Sequence, residues 1–314
     1  MDLTAWIRRV DEQSIRRTLF FLAQDPLPRR TANFTRPGQS KSTLEEADDY
    51  IESRLREWGW AVSLEAVQAQ AFRRDTSKPL AHQYSSPLPD DPWFTLHNLH
   101  ARKSGAERPD EVILLFAHKD SQSWIDSPGA YDNASGTAGL MEIARLLGPR
   151  ESRRSIWLLF CNEEHRPWTS VQAAQRMREE GVGILAGFNL DSLGTKSAEA
   201  ARAGLQGATT LYTAEEGRPI AELMDRLNTR LAIGLEHKIR QNAKPMNDDG
   251  SFIKAGFAPI VMCVGPGPQE EPNYHTPGDK PENVDTANVA RQVQLCLAAV
   301  LELDEKGPAA LDMR

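Results

Sequence analysis

The sequence predicts an α/β sandwich built around a mostly parallel sheet. From about residue 111 onward, short apolar runs alternate with segments whose apolar residues recur at helical spacing, the pattern of strands joined by crossover helices. The runs are continuously apolar, as in strands covered on both faces. Acidic and imidazole side chains follow one run after another. In an open α/β sheet, the carboxyl ends of the strands are where ligands bind.

Taken in order, residues near 10–23 and 42–58 carry apolar positions at helical spacing (Ile51, Leu55 and Trp58 in the second), and Gly59 marks a stop. Residues 61–68 and 93–100 alternate like half-buried strands, with a Pro-, Ser- and Asp-rich stretch at 73–92 read as a loop. Buried strands are expected at 112–117, 155–161, 184–190 and 259–264. Helices are expected near 134–147, 168–180, 217–230, 248–256 and 285–303. The gap between the third and fourth of these strands is too short for a separate lid domain. Residues 1–314 therefore read as one domain: N-terminal helices and edge strands over 1–110, a core over 111–304, and a frayed tail over 305–314.

Composition excludes some partners. The 314 residues are 40% hydrophobic and 26% charged, with a formal net charge of -7, ordinary values for a soluble globular protein. Nucleic acids and anionic membranes are held mainly by Lys and Arg, so neither is an expected partner. No apolar run approaches the ~20 residues of a membrane helix, and the N-terminal MDLTAWIRRVDEQ lacks the apolar stretch of a signal peptide. Cys161, Cys263 and Cys296 lie far apart without a CxxC pair. They are read as reduced and mostly buried, in keeping with a cytoplasmic location. The sequence leaves the oligomeric state open.

The strand ends carry the chemistry. His118-Lys119-Asp120 follows the first buried strand, Asn162-Glu163-Glu164 the second and Asp191 the third. Asp132-Asn133 stands immediately before a helix, and Tyr274-His275 lies in a Gly- and Pro-rich loop after the fourth strand. Each has a bland alternative: a turn hydrogen-bonded to a strand end, an N-cap, a solvated carboxylate pair, a surface histidine. Their common position at strand ends favours a joint role. His118, Asp132, Glu163, Glu164, Asp191 and His275 amount to two imidazoles and four carboxylates without a thiolate, a donor set that suits zinc in a water-bearing site.

The blocks AHKDS, SPGAYDNASGTAGLMEIARLL, FCNEEH, FNLDSLG and NYHTPGDKPENVD resemble the signatures of the zinc aminopeptidases of peptidase clan MH, family 28. Glutaminyl cyclases and glutamate carboxypeptidases are distant members of that family. The resemblance covers roughly residues 111–300, and EADDYIESRLREWGW is similar, more loosely, to an early helix of the family. It implies a three-layer α/β/α sandwich on a mixed, mostly parallel sheet of about eight strands. It further implies two zinc ions bridged by Asp132, one held also by His118 and Asp191, the other by Glu164 and His275. Glu163 would be the general base, Asp120 would take the second ring N–H of His118, and Tyr274 would bond a developing oxyanion. A cis peptide at Asp132–Asn133 is a further implication.

Two blocks depart from the family. Where small residues usually follow the Glu-Glu pair, this chain has His165-Arg166-Pro167-Trp168-Thr169-Ser170, so His165, Arg166 and Trp168 are candidate walls of a substrate pocket. Where the family usually has Ser-Asp-His, it has Asn247-Asp248-Asp249-Gly250-Ser251-Phe252. Tyr274 replaces the Trp of the cyclases, which favours a peptidase. The expected function is a zinc-dependent exopeptidase removing N-terminal residues from short peptides. The alternatives are an amidohydrolase or carboxypeptidase-like enzyme with Arg166 or Arg240 as carboxylate clamp, a glutaminyl cyclase-like enzyme, or a non-catalytic binding domain. Lys119, on alternation, should point away from His118.

Overall fold

A computed structural model of the chain describes residues 1–312. The N-terminal part begins with three helices: α1 (Leu3–Ile7), α2 (Glu12–Ala23) and α3 (Thr43–Glu57). Each starts on a side-chain cap, and α3 on a full capping box between Ser42 and Glu45. Then come β1 (Ala61–Ala71), the two-residue strands β2 (Arg73–Arg74) and β3 (Tyr84–Ser85), and β4 (Trp93–Lys103). The stretch expected to be a plain loop at 73–92 therefore holds a small hairpin. The alternation begins with β5 (Arg108–His118), α4 (Gly136–Leu147), β6 (Arg154–Cys161), β7 (His165–Arg166), α5 (Thr169–Glu179) and β8 (Ile184–Leu190). It continues with α6 (Ala198–Arg202), β9 (Gly207–Tyr212), α7 (Arg218–Arg230), β10 (Glu236–Gln241), α8 (Asn247–Lys254), β11 (Ile260–Val264) and α9 (Thr286–Lys306).

Nine strands form one mixed sheet in the order β10-β9-β11-β8-β5-β6-β4-β1-β7, and β2 pairs with β3 separately. The four central strands β11, β8, β5 and β6 run parallel, which sends all their carboxyl ends to one rim. Antiparallel pairing joins β9 to β11, β4 to β6 and β1 to β4 on the flanks.

Strand alternation sorts the core into two faces. Ile113, Leu115 and Ala117 of β5 pack with α2, α4 and α9 through residues such as Leu19, Ile143 and Leu297. Val112, Leu114 and Phe116 pack on the opposite side with Ala173 and Met177 of α5 and Phe252 of α8. The result is three layers with helices on both faces of the sheet. The three cysteines are buried and unpaired. No helix among the described residues is long and apolar enough to cross a membrane.

Three further expectations need correction. Two further strands, β9 and β10, fill the stretch between β8 and β11. Over residues 305–312 the chain does not fray: α9 runs to Lys306, a tight turn over Gly307–Leu311 follows, and Ala310 is buried. Residues 313 and 314 of that expected tail lie outside the described residues. The last correction concerns His165 and Arg166, taken up below.

Candidate metal centre

Three strand ends and two loops build the site. β5 delivers His118 and, two residues on, Asp120; β6 leads into Glu163 and Glu164; β8 leads into Asp191. Asp132 sits in a kinked turn just before α4, and its peptide bond to Asn133 is cis. His275 follows β11 in a loop. The turn before α4 needs Gly129 at φ 58, where an added Cβ would come within 2.5 Å of the Asp132 carbonyl oxygen. Ser192, Asn247 and His275 also take left-handed φ values of 50 to 56, backbone that the surrounding contacts must hold in place.

These side chains converge as two nests sharing one carboxylate. His118, Asp132 and Asp191 offer one set of donors, and Asp132, Glu164 and His275 the other, with the donor atoms of each set within 4.8 Å of one another. His118 Nε2 lies 3.0 Å from Asp132 Oδ1 and 3.6 Å from Asp191 Oδ1. His275 Nε2 lies 2.8 Å from Asp132 Oδ2 and 3.5 Å from Glu164 Oε1. Asp132 thus presents one oxygen to each imidazole. All five residues are buried. Crowding four carboxylates in this way, Glu163 included, is unfavourable without compensating positive charge. The donor set fits a divalent, borderline-soft metal such as zinc.

The outward ring nitrogens are committed elsewhere. His118 Nδ1 pairs with Asp120 Oδ1 at 3.2 Å, and His275 Nδ1 pairs with the Ala81 carbonyl at 2.8 Å. With acceptors there, Nδ1 carries the proton and Nε2 is free to ligate. Burial works against the charged His275 ring, yet hydrogen bonds to Asp132 and Glu164 win and hold it up to about 10 when no cation is bound. Asp120 also accepts the backbone N–H groups of Glu163 (3.0 Å) and Glu164 (2.8 Å) and the Nδ1–H of His165 (2.7 Å). Burial would raise its carboxyl, but the bonds to His118 and His165 hold it well below the usual range.

The adjacent pair divides its contacts. Glu164 takes the Gln122 side-chain N–H at 3.0 Å and faces His275. Glu163 Oε2 takes the backbone N–H of Asp248 at 3.1 Å and touches no imidazole closely. Burial first, and then the Asp248 carboxylate, push the Glu163 carboxyl well above its ordinary range; a bound cation would draw it back.

A cavity of about 210 Å³ opens onto this floor. Its walls are Phe72, Tyr84, Trp124, Trp168 and Tyr274, with Met246 and Asn247 beside them. Trp168 therefore lies where the sequence placed it, and Tyr274 lines the cavity with its ring stacked on His275 at 3.8 Å. His165 and Arg166 do not line it. His165 is completely buried behind the site, giving its Nδ1–H to Asp120 and accepting the Ala32 N–H at Nε2, 3.2 Å away. Arg166 is exposed, on the short strand β7 paired with β1. The reason is alternation: β7 turns successive side chains to opposite faces. Arg240 lines a different cavity, beside Thr209 and Pro266. Lys119 points away from His118, as expected, into a buried pairing with Asp48 at 2.8 Å and Asn162 at 2.7 Å.

Several supporting residues escaped the sequence reading. Arg30 is fully buried, and its guanidinium donates to the carbonyls of Lys119 (2.7 Å), Pro128 (2.8 Å), Gly129 (2.8 Å) and Leu22. Asp279 accepts the N–H groups of Tyr131 (2.8 Å) and Asp132 (3.2 Å). It stood inside a recognisable block, NYHTPGDKPENVD, and that was its available signal. Arg30 had none, since its partners are backbone atoms remote in sequence. Of the aromatic walls, Tyr84 and Trp124 come from segments that read as loop, and Phe72 from between a strand and a loop.

Fold and donor set together define the class: an α/β protein with a buried carboxylate–imidazole nest suited to metal. The family follows from the sequence: the family model described as Peptidase family M28 matches residues 98–300, and the chain belongs to that family. A probable zinc metalloprotease of Pyrenophora teres is 26% identical over 246 residues, 75% of this chain and 48% of that protein. Aminopeptidase YwaD of Bacillus subtilis is 30% identical over 207 residues, 64% of this chain and 42% of that one. The chain spans about half the length of the curated relatives it matches. Among solved structures, the aminopeptidase from Aneurinibacillus sp. strain AM-1 superposes with a TM-score of 0.70 at 16% identity, covering 94% of each chain. At that identity the likeness speaks to the fold.

Proposed function

We propose that this chain is a zinc-dependent aminopeptidase that removes N-terminal residues from short peptides. The observation that carries the reading is the charge of the cavity. Its floor holds Asp132, Glu163, Glu164 and Asp191, and none of the residues lining it is Lys or Arg. A substrate carboxylate would find no Lys or Arg partner there, whereas a free α-ammonium can pair with a carboxylate of the floor. A carboxypeptidase-like clamp by Arg166 or Arg240 is disfavoured, because neither side chain lines this cavity. One zinc would be held by His118, Asp132 and Asp191, and a second by Asp132, Glu164 and His275. The relatives' names, zinc metalloprotease and aminopeptidase, agree with this assignment.

Bound there, two zinc ions would polarise an attacking water and the scissile carbonyl together. Glu163, beside the ligands and not one of them, takes the proton from the attacking water and returns it to the leaving amine. The Asp248 N–H on one of its oxygens orients the carboxyl for that shuttle. Asp120 keeps the His118 ring in its ligating tautomer. Tyr274, which lines the cavity with its ring on His275, would give its hydroxyl hydrogen bond to the developing oxyanion. The aromatic walls exclude water and cover an apolar side chain. Residues 1–312 are read as one domain, since a single core cluster runs from Leu3 to Ala310.

The deciding assay compares free and N-acetylated di- and tripeptides by amine release. The acetylated forms should be cut ~30-fold or more slowly, the rate equivalent of about 2 kcal/mol for a buried charge left unpaired. Equal rates, or a requirement for a free carboxylate, would move the chain to the amidohydrolase or carboxypeptidase reading.

A further inference from the structure

The two imidazoles of the nest are oriented in different ways. His118 leans on the Asp120 carboxylate, two residues away in the same strand end. His275 has no carboxylate behind it. Its Nδ1 meets the Ala81 carbonyl, 194 residues away, at the tip of the hairpin formed by β2 and β3. The loop that carries His275 runs through a left-handed backbone at φ 55, so its ring direction depends on what surrounds it. The hairpin supplies much of that surrounding. The Tyr84 ring meets the His275 ring edge-on at 5.9 Å and packs against Trp124 at 5.0 Å, and Trp124 meets His275 edge-on at 5.2 Å.

The hairpin is itself anchored to the site. Phe72, at its base, donates its N–H to Ser123 Oγ at 2.9 Å, and the Ser123 hydroxyl donates to the Glu164 carbonyl. Arg73 forks onto Asp91 at 2.7 and 2.9 Å, and the Lys78 ammonium closes the tip onto the Tyr84 carbonyl at 2.6 Å. The hairpin itself, residues 73–85, precedes residue 98, where the family match begins.

We infer that the 75–83 tip is a positioning element for one metal site only: through the Ala81 carbonyl it holds His275 in the tautomer and direction that expose Nε2 to the Asp132–Glu164 nest. The inference rests on the zinc reading above. An acceptor at Nδ1 keeps the proton there and leaves the Nε2 lone pair for the metal; losing such an outer partner usually costs 10–100-fold in metal affinity. The His118 site has its own acceptor and does not need the hairpin.

The test replaces residues 75–83 of the full chain by Asn-Gly, a two-residue turn that can rejoin β2 to β3. Zinc titration against a chromogenic chelator should show one site weakened by ~10–100-fold and the other unchanged. In histidine-labelled protein, the NMR signal of the His275 Nδ1–H should be lost or begin to exchange, which a mere loss of stability would not cause. Leu80→Ala, which trims an exposed side chain of the tip and keeps the Ala81 carbonyl, should retain that signal and both zinc sites. In a His275→Ala background the replacement should have no further effect on the remaining zinc. Equal weakening of both sites, or two undiminished sites with an unchanged Nδ1–H signal, would overturn the inference and leave the zinc reading standing. An unaltered chain that takes up no zinc would remove the zinc reading and this inference with it.

Discussion

At the scale of single residues, Glu163 and Glu164 are the sharpest case. In sequence they are an adjacent pair of like carboxylates. In the fold, Glu164 turns to His275 and Gln122, while Glu163 turns to the Asp248 amide. Glu163→Gln should therefore keep its zinc and lose ~10²–10⁴-fold in kcat, the usual worth of a positioned general base. Glu164→Gln should weaken one zinc instead. Turnover and metal content measured on both variants decide the assignment, and exchanged behaviours would reverse it. His275 carries a second expectation. Its metal-free pKa of about 10 means that the ring is protonated at neutral pH and must lose that proton to ligate. Zinc binding should thus release protons, and affinity should fall as pH drops. Calorimetry in buffers of different ionisation heat reads the release directly; heats independent of buffer would contradict it.

At the scale of elements, the strands that were legible are those with continuous apolar runs or clear alternation; of those that were not, the two longest, β9 and β10, have other compositions. GATTLY of β9 is small and polar, and EHKIRQ of β10 is an exposed, charged edge strand of the kind that resists unwanted pairing. Elements are joined near the site by single polar residues. Arg30 ties the strand end after His118 to the loop before Asp132. Arg30→Ala would leave several buried carbonyls without donors at ~1–3 kcal/mol each, so a loss of more than about 3 kcal/mol is expected from the urea midpoint. A change below 1 kcal/mol would show that water replaces the guanidinium. Across β1 and β4, burial acts to raise Glu65, but hydrogen bonds from His100, Asn98 and Gln172 bring it down to about 2. With an unfolded-state value of 4.5, the stability it contributes is present above that pH and lost as pH falls from about 4.5 to about 2. Glu65→Gln should flatten the stability curve in that window, read by denaturant melts at successive pH values.

At the scale of the whole molecule, the layers do not depend on the nest. Both faces of the sheet are covered by apolar contacts that run through the molecule. Chelation should therefore abolish hydrolysis while leaving the far-UV circular dichroism nearly unchanged. It should also lower Tm, because zinc bound only by the folded state stabilises by mass action and its removal leaves Asp132, Glu163, Glu164 and Asp191 repelling one another. Full activity after exhaustive chelation would end the metal-dependent reading.

The sequence by itself determined the α/β alternation, the strand ends that bear His118, Asp120, Asp132, Glu163, Glu164, Asp191 and His275, and the family. Each of these is a local pattern, carried by periodicity or by residues a few positions apart. Only the tertiary structure decided that Asp132 turns one oxygen to each imidazole, that His165 backs Asp120 and does not line a pocket, and that Arg30 and Ala81 support the site from far away in the chain. Those contacts join backbone and side-chain atoms separated by up to 194 residues. Backbone carbonyls are the same at every position, so no residue type announces which of them a buried guanidinium or imidazole will meet. Packing alone makes that choice.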